Sequence, residues 1–248
     1  MTDPTPSRPG AADDAPGTEE PRDVVKYTFY RVEPGWRRLP RPEREAGKAA
    51  LVEVLEHPPE NVLVGTYSTV GLKAGVDFLV WSVAPALEPV QTLHARVLGT
   101  GLGPFLATPY SYLGMARKSE YLGAHAHGGE GTGTRRRPGD RPYLFVYPFV
   151  KKREWYGLPF EERRRIMGEH FRIGHKYPRV DIHTGYSFGL DEMEFILAFE
   201  ADRPDEFLDL VNDLRPSEAS RYTALETPIF TCVRTSPRRA LDLADGLP

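Results

Sequence analysis

The placement of His170 gives it more chemical potential than any other side chain in this sequence. Residues 159–173 carry Ile166, Met167 and Ile173 at helical spacing, and His170 falls on the stripe they mark. An imidazole that points from a helix into an apolar interior needs a hydrogen-bond partner or a metal. A satisfied core histidine would leave the same pattern, so spacing alone keeps both readings open. A second constellation lies just upstream, in Tyr147-Pro148-Phe149-Val150-Lys151-Lys152-Arg153-Glu154-Trp155-Tyr156. Strand alternation points Tyr143, Phe145, Tyr147 and Phe149 one way, with Lys151 continuing that face as the strand ends. A phenol with a cation near it would stabilise a phenolate or the charge left by an oxidised ring. The plainer alternative is an aromatic strand that ends in a solvated basic turn.

The other histidines carry less. His57 precedes Pro58-Pro59 at a helix end and reads as solvated. His94 reads as surface or partly buried, and His175 as surface. His125 and His127 form an H-x-H pair in a Gly-rich stretch, which holds a metal only if further ligands join. Cys232 is the one cysteine, which excludes an intrachain disulfide framework and any multi-Cys zinc or iron–sulfur site within one chain.

These side chains must be positioned by elements, and the sequence supplies its elements twice. Trp36-Arg-Arg-Leu39-Pro40 with Glu43-Arg44 returns as Trp155-Tyr-Gly-Leu158-Pro159 with Glu162-Arg163. Tyr67-Ser68, Gly71-Leu72 and Phe78-Leu79 return as Tyr186-Ser187, Gly189-Leu190 and Phe195-Ile196. The offset holds at about 118 residues throughout, as an internal duplication requires. The first half reads as strand 24–32, helix 42–56, strands 62–70 and 77–83 joined by a Gly-bounded turn, helix 86–98 and a short strand 111–117. The second reads as strand 143–150, helix 159–173, strands 180–188 and 194–200, helix 204–214 and strand 228–233. Each half is βαββαβ, the ferredoxin-like unit, which leaves one sheet face in need of a partner. Two such units side by side can curl into an open barrel with helices outside, an α+β architecture. The counterpart of His170 in the first unit falls near Leu51 or Val52, so one repeat alone carries the imidazole.

Composition sets the outer limits. The chain has 248 residues, 40% of them hydrophobic and 27% charged, enough apolar mass for a proper core. Residues 1–22 are rich in Pro, Gly and acids and read as a disordered tail. The units span 23–120 and 142–235, separated by a linker at 121–141, and 236–248 read as a loose C-terminal tail. A formal net charge of −3 offers no global field for nucleic acid or an anionic membrane surface. No run of apolar residues is long enough for a membrane span, and the N-terminus is no secretory signal, so a soluble cytoplasmic protein is expected.

The segments YPFVKKREWYGLPFEERRRIMGEHFRIGHKYPRV and YSFGLDEMEFILAFEADRPDEFLDLVNDLRPSEASRY resemble the coproheme decarboxylases of the chlorite dismutase superfamily, with the likeness running over residues 24–234. The resemblance implies two tandem ferredoxin-like units in a dimeric α/β-barrel-type fold, the second of them binding haem, and assembly as a homopentamer. It implies an oxidoreductase of haem biosynthesis that binds iron-coproporphyrin III (coproheme). With hydrogen peroxide it converts two propionates to vinyl groups, giving haem b. On this likeness His170 is the axial iron ligand, Tyr147 the radical-forming phenol and Lys151 the cation beside the reacting carboxylate. Trp155, Ser220 and Arg137 contact propionates, Arg137 being one of the run Arg135–Arg136–Arg137. Chlorite-degrading relatives place an Arg over the open iron face. Counting back from Ser187, the position here is Ile182 with His183 beside it, and Ile182, His183 and the linker histidines all stay open as the residue there. A chlorite dismutase or haem peroxidase, and a non-catalytic haem-binding protein, are the alternatives.

Overall fold

The computed structural model describes residues 21–121 and 137–247. Residues 1–20 of the tail and most of the linker, with His125, His127, Arg135 and Arg136, therefore lie outside the described residues. The first unit runs β1 (Val24–Val32), α1 (Arg41–Glu56), β2 (Leu63–Ser68), β3 (Phe78–Ala84), α2 (Leu87–Leu98) and β4 (Leu106–Ala116). The second runs β5 (Tyr143–Lys151), a short α3 (Arg153–Gly157), α4 (Phe160–Gly174), β6 (Val180–Tyr186), β7 (Phe195–Ala201), α5 (Pro204–Leu214), a three-residue β8 (Thr223–Leu225) and β9 (Phe230–Arg234). The strands thus follow βαββαβ twice, as the repeat predicts.

All strand pairings are antiparallel, and they close on themselves. Within the first unit the order is β4-β1-β3-β2, and within the second it is β9-β5-β7-β6. The units join where Tyr67 and Ser68 meet Arg234 and Val233, and where Met115 and Ala116 meet Tyr186 and Gly185. Each seam is two residue pairs wide, so the expected open barrel closes, but narrowly. Its interior is filled by Tyr27, Phe29, Trp81, Leu144, Val146, Ile196, Ala198 and Phe230 from both units. The inner faces that a lone ferredoxin-like sheet would expose are buried against each other.

The outer faces are treated differently. In the first unit α1 and α2 both pack on the sheet, burying Leu51, Val54, Leu55, Val90, Leu93 and Val97 with Tyr30, Phe78 and Val80. A final helix α6 (Pro237–Ala244) adds Ala240, Leu241 and Ala244 to this core. The loose tail expected beyond residue 235 is thus a docked helix. Its start is fixed by Ser236, whose hydroxyl accepts from the Arg239 N–H, with Pro237 in the first turn. The fully buried Lys48 of α1 holds it, meeting Glu45 at 2.7 Å, Asp242 at 2.8 Å and Asp245 at 3.3 Å.

Strand β4 is also longer than the predicted 111–117. It continues back through Pro109, which cannot donate to a ladder. The pairing with β1 slips there, between Phe29–Tyr110 and Arg31–Ala107, and so accommodates it.

Candidate functional site

Strand register fixes which residues share the outer face of the second unit. Tyr147 stands opposite Leu197, Phe149 opposite Phe195, and Phe145 opposite Phe199. Ile182 stands opposite Phe199 and Thr184 opposite Leu197 on the other side of β7. Directly paired residues point the same way, so Tyr147, Phe149, Ile182, Thr184, Phe195 and Leu197 form one surface. Part of it is covered: α5 lays Phe207 and Leu210 on Phe145, Tyr147, Val180 and Phe199. Among the described residues, α4 contributes nothing to that cluster. Its one fully buried residue, Ile166, packs instead on Trp155 and Ala219. Where the first unit seats two helices on its sheet, the second seats one, and α4 packs on α3 and the 218–222 turn instead. Ile182, at 36% exposure on that face, marks the uncovered part.

His170 lies on α4 one turn beyond Ile166, on the same helix side. It is half-buried, with an edge contact to Phe171 at 6.0 Å and no hydrogen-bond partner among the described residues. Burial, helped by the Lys151 cation, pushes its pKa down to about 4. The ring is therefore neutral at physiological pH, with a lone pair free to bind a metal. The repeat offset aligns this position with Leu51, which is fully buried in the first unit and stabilises that core by about 2 kcal/mol. The second unit has given up an equivalent packing contact for an unpartnered imidazole.

Lys151 ends β5 and turns its ammonium over the Trp155 ring, 4.2 Å from the centroid, with Phe149 at 5.5 Å. Burial lowers its pKa to about 8, with Glu194 acting in the opposite direction. Trp155 sits in α3, buried between Ile166, Ala219 and Tyr222. Tyr147 is buried and stacked on Phe199 at 5.9 Å, and its hydroxyl has no hydrogen-bond partner among the described residues. Burial, and Glu226 behind it, push the phenol well above its ordinary range, opposed by Arg215. This departs from the expectation that Lys151 would stabilise a phenolate. Four residues along a strand is about 13 Å, and the lysine faces the indole. Tyr147 is thus a neutral phenol with an O–H to give.

The remaining candidates separate. Ser220 lies in the 3-10 turn Glu218–Tyr222, and its hydroxyl donates to the carbonyls of Arg215 at 2.6 Å and Ser217 at 2.8 Å. Arg137 is exposed and sits two residues before Gly139, whose N–H donates to Glu200. Glu200 pairs with Leu144, about 23 Å along β5 from Lys151, so the structure does not gather Arg137 with the lysine. His183 points into the barrel, bonded to the buried Glu200 carboxylate at 2.9 Å and set edge-on to Trp81. Of the two neighbours Ile182 and His183, Ile182 is the one β6 turns outward. His94 is a satisfied core histidine, bonded to Tyr30 at 2.8 Å and Thr28 at 3.2 Å, while His57 is exposed. Sequence reasoning missed Glu194, a buried carboxylate that accepts from the Lys151 N–H and the Tyr156 hydroxyl.

Among the described residues no group of three or more His, Cys, Asp or Glu could hold a metal ion. A porphyrin brings four nitrogens of its own, so one imidazole completes such a site. The residues on hand suit it: exposed apolar Ile182 on the outer sheet face, a neutral imidazole at His170 on α4, and the Lys151 cation at the end of β5.

A barrel of two ferredoxin-like units, with the buried-side imidazole His170 on a helix of the second alone, defines the architectural class. The chain belongs to the chlorite dismutase family, whose model matches residues 44–235. It is 38% identical over 217 residues to a coproheme decarboxylase of Mycolicibacterium smegmatis, covering 86% of this chain and 90% of that one. A putative haem-binding protein of Natronomonas pharaonis is 28% identical, matching 87% of this chain and 39% of its own length. Among solved structures, a mutant chlorite dismutase from Candidatus Nitrospira defluvii superposes with a TM-score of 0.81 at 26% identity, over 91% of this chain and 97% of that one. No helix among the described residues is long and apolar enough to cross a membrane.

Proposed function

We propose that this protein is a coproheme decarboxylase: it binds iron-coproporphyrin III in the slot under α4 and converts two propionates to vinyl groups, yielding haem b. The observation that carries the reading is the neutral His170 on α4, without a hydrogen-bond partner among the described residues and within electrostatic reach of Lys151, beside an outer sheet face that α4 leaves uncovered. The 38% identical relative supplies the substrate class. His170 holds the iron from the helix side. Lys151 faces the propionates as a cation, and a carboxylate there gains a charge-assisted hydrogen bond. Trp155 packs under the lysine and fixes its direction, while Tyr147, once oxidised to a phenoxyl radical with loss of its phenolic proton, takes a hydrogen atom from the β-carbon of the propionate. Ser220 and Arg137 remain propionate contacts in this proposal. Ser220 acts by rotating its hydroxyl away from the Arg215 and Ser217 carbonyls and donating to a carboxylate, and Arg137 acts at the far rim.

Bound iron porphyrin supplies the redox chemistry, with hydrogen peroxide as oxidant. Each propionate loses carbon dioxide, two electrons and one β-carbon hydrogen as a proton. Hydrogen peroxide takes up the two electrons, that proton and one more from solvent, and becomes two waters. The protein's part is to place the carboxylate at Lys151 and the phenol beside the carbon that loses hydrogen. Assembly as a homopentamer in the cytoplasm completes the proposal.

Titrating purified protein plus coproheme with hydrogen peroxide and following pigment mass tests it. The expected result is two successive losses, each of one formic-acid equivalent. No loss would end the proposal. Oxygen release from chlorite would point instead to the activity named for the structural relatives, against which the apolar Ile182 on the slot face stands.

A further inference from the structure

We infer that Glu194 is a positioning residue for the slot, one buried carboxylate that sets both Lys151 and the indole beneath it. The inference rests on the proposed coproheme slot for its purpose, though not for its geometry. Glu194 sits at the start of the β6–β7 hairpin's return strand, 8% exposed. Its Oε2 accepts from the Lys151 N–H at 2.8 Å and from the Tyr156 hydroxyl at 2.6 Å. Its Oε1 lies 3.8 Å from the exposed Arg153 guanidinium. The first bond ties down the end of β5, and the second ties down α3, the turn that carries Trp155. The next amide, Lys152 N–H, donates to the Tyr222 carbonyl at 2.7 Å, so the corner is held from both sides.

A buried carboxylate is costly unless it is well satisfied. Here its partners are the main chain of one proposed functional residue and the neighbour of another. The same anion also opposes the loss of the Lys151 proton that burial favours. The two effects can be separated, because glutamine keeps an oxygen able to accept both hydrogen bonds while losing the charge.

Two variants, Glu194→Gln and Glu194→Ala, test the inference in the full chain. The first readout needs no coproheme: the Lys151 amide proton, observed with lysine-selective nitrogen labelling. An amide bonded to a carboxylate should resonate well downfield in the wild type, stay near that position in the Gln variant, and move upfield in the Ala variant. With coproheme as probe, Glu194→Ala should weaken binding about tenfold, or about 1.4 kcal/mol, with the absorption band of the bound pigment unmoved. Glu194→Gln should retain binding and shift the pH–rate midpoint down by about one unit. An Ala variant with wild-type amide shift and affinity overturns the inference, as does a Gln variant as impaired as Ala. If Glu194→Ala does not fold, Tyr156→Phe decides: it removes one of the two bonds and should change Trp155 emission, and no change counts against the role. Failure of the wild type to bind coproheme would sink the slot reading, while the amide shift would still decide the positioning role.

Discussion

The pH dependence of turnover offers a sharp test of the slot's electrostatics. Burial against Trp155 and Phe149 brings the Lys151 pKa down to about 8, where an ordinary lysine stands near about 10.4. The useful form is the cation, so its contribution is complete below pH 7 and is lost as pH rises through about 8. With that value the charged fraction is about 0.9 at pH 7 and about 0.1 at pH 9. The kcat/KM for coproheme reports the free enzyme's groups and should therefore fall about tenfold over that interval. Neither neighbouring group titrates there: His170 has already lost its proton above about pH 4, and the Tyr147 phenol is pushed upward. Initial rates of coproheme consumption between pH 6 and about 10, at fixed peroxide, give the profile. A Lys151→Arg variant, whose charge persists throughout, should be flat where the wild type falls. A wild-type profile flat to pH 9, or an equal fall in the Arg variant, refutes the assignment of Lys151 as the titrating cation.

Two further outcomes follow from the geometry. Tyr147→Phe removes an oxygen but keeps the stack on Phe199, so coproheme should bind with unchanged affinity while vinyl formation stops; a mutant as active as the parent contradicts the phenol's role. Lys48→Ala should destabilise the chain by about 3 kcal/mol in denaturant unfolding, because Asp245 and Asp242 lose their buried cation and α6 its anchor; a loss below about 1 kcal/mol would mean that the cluster behaves as a surface pair.

How far the sequence carried depended on what each feature needed for its definition. β1 (Val24–Val32) and α5 (Pro204–Leu214) were legible to the residue, since β-branched runs and an N-terminal proline are local signals. The duplication was legible too, and with it the two-unit fold. β8 was not, being three residues whose pairing partner, the end of β5, lies over 70 positions away. α6 went unread although Ser236-Pro237 is a start signal. It has few large apolar residues, and what seats it is a set of charges on α1. In the site, alternation said that either Ile182 or His183 faces outward but not which. Pairing with Phe199 and Ala198 on β7 made the choice. Residue types alone suggested a Tyr147–Lys151 couple, whereas the fold turns the lysine to Trp155 and leaves the phenol among rings. Glu194 gave no sequence signal at all, because its meaning comes from two hydrogen bonds across a corner.

The central claim is that His170 supplies the iron ligand, and an optical titration of the His170→Ala variant with coproheme tests it most directly. Coproheme added to the wild type should give the spectrum of imidazole-ligated iron with saturable binding. In the variant that spectrum should vanish and affinity should fall about tenfold or more, with added free imidazole restoring the band. Unchanged spectrum and affinity in the Ala variant would contradict the account.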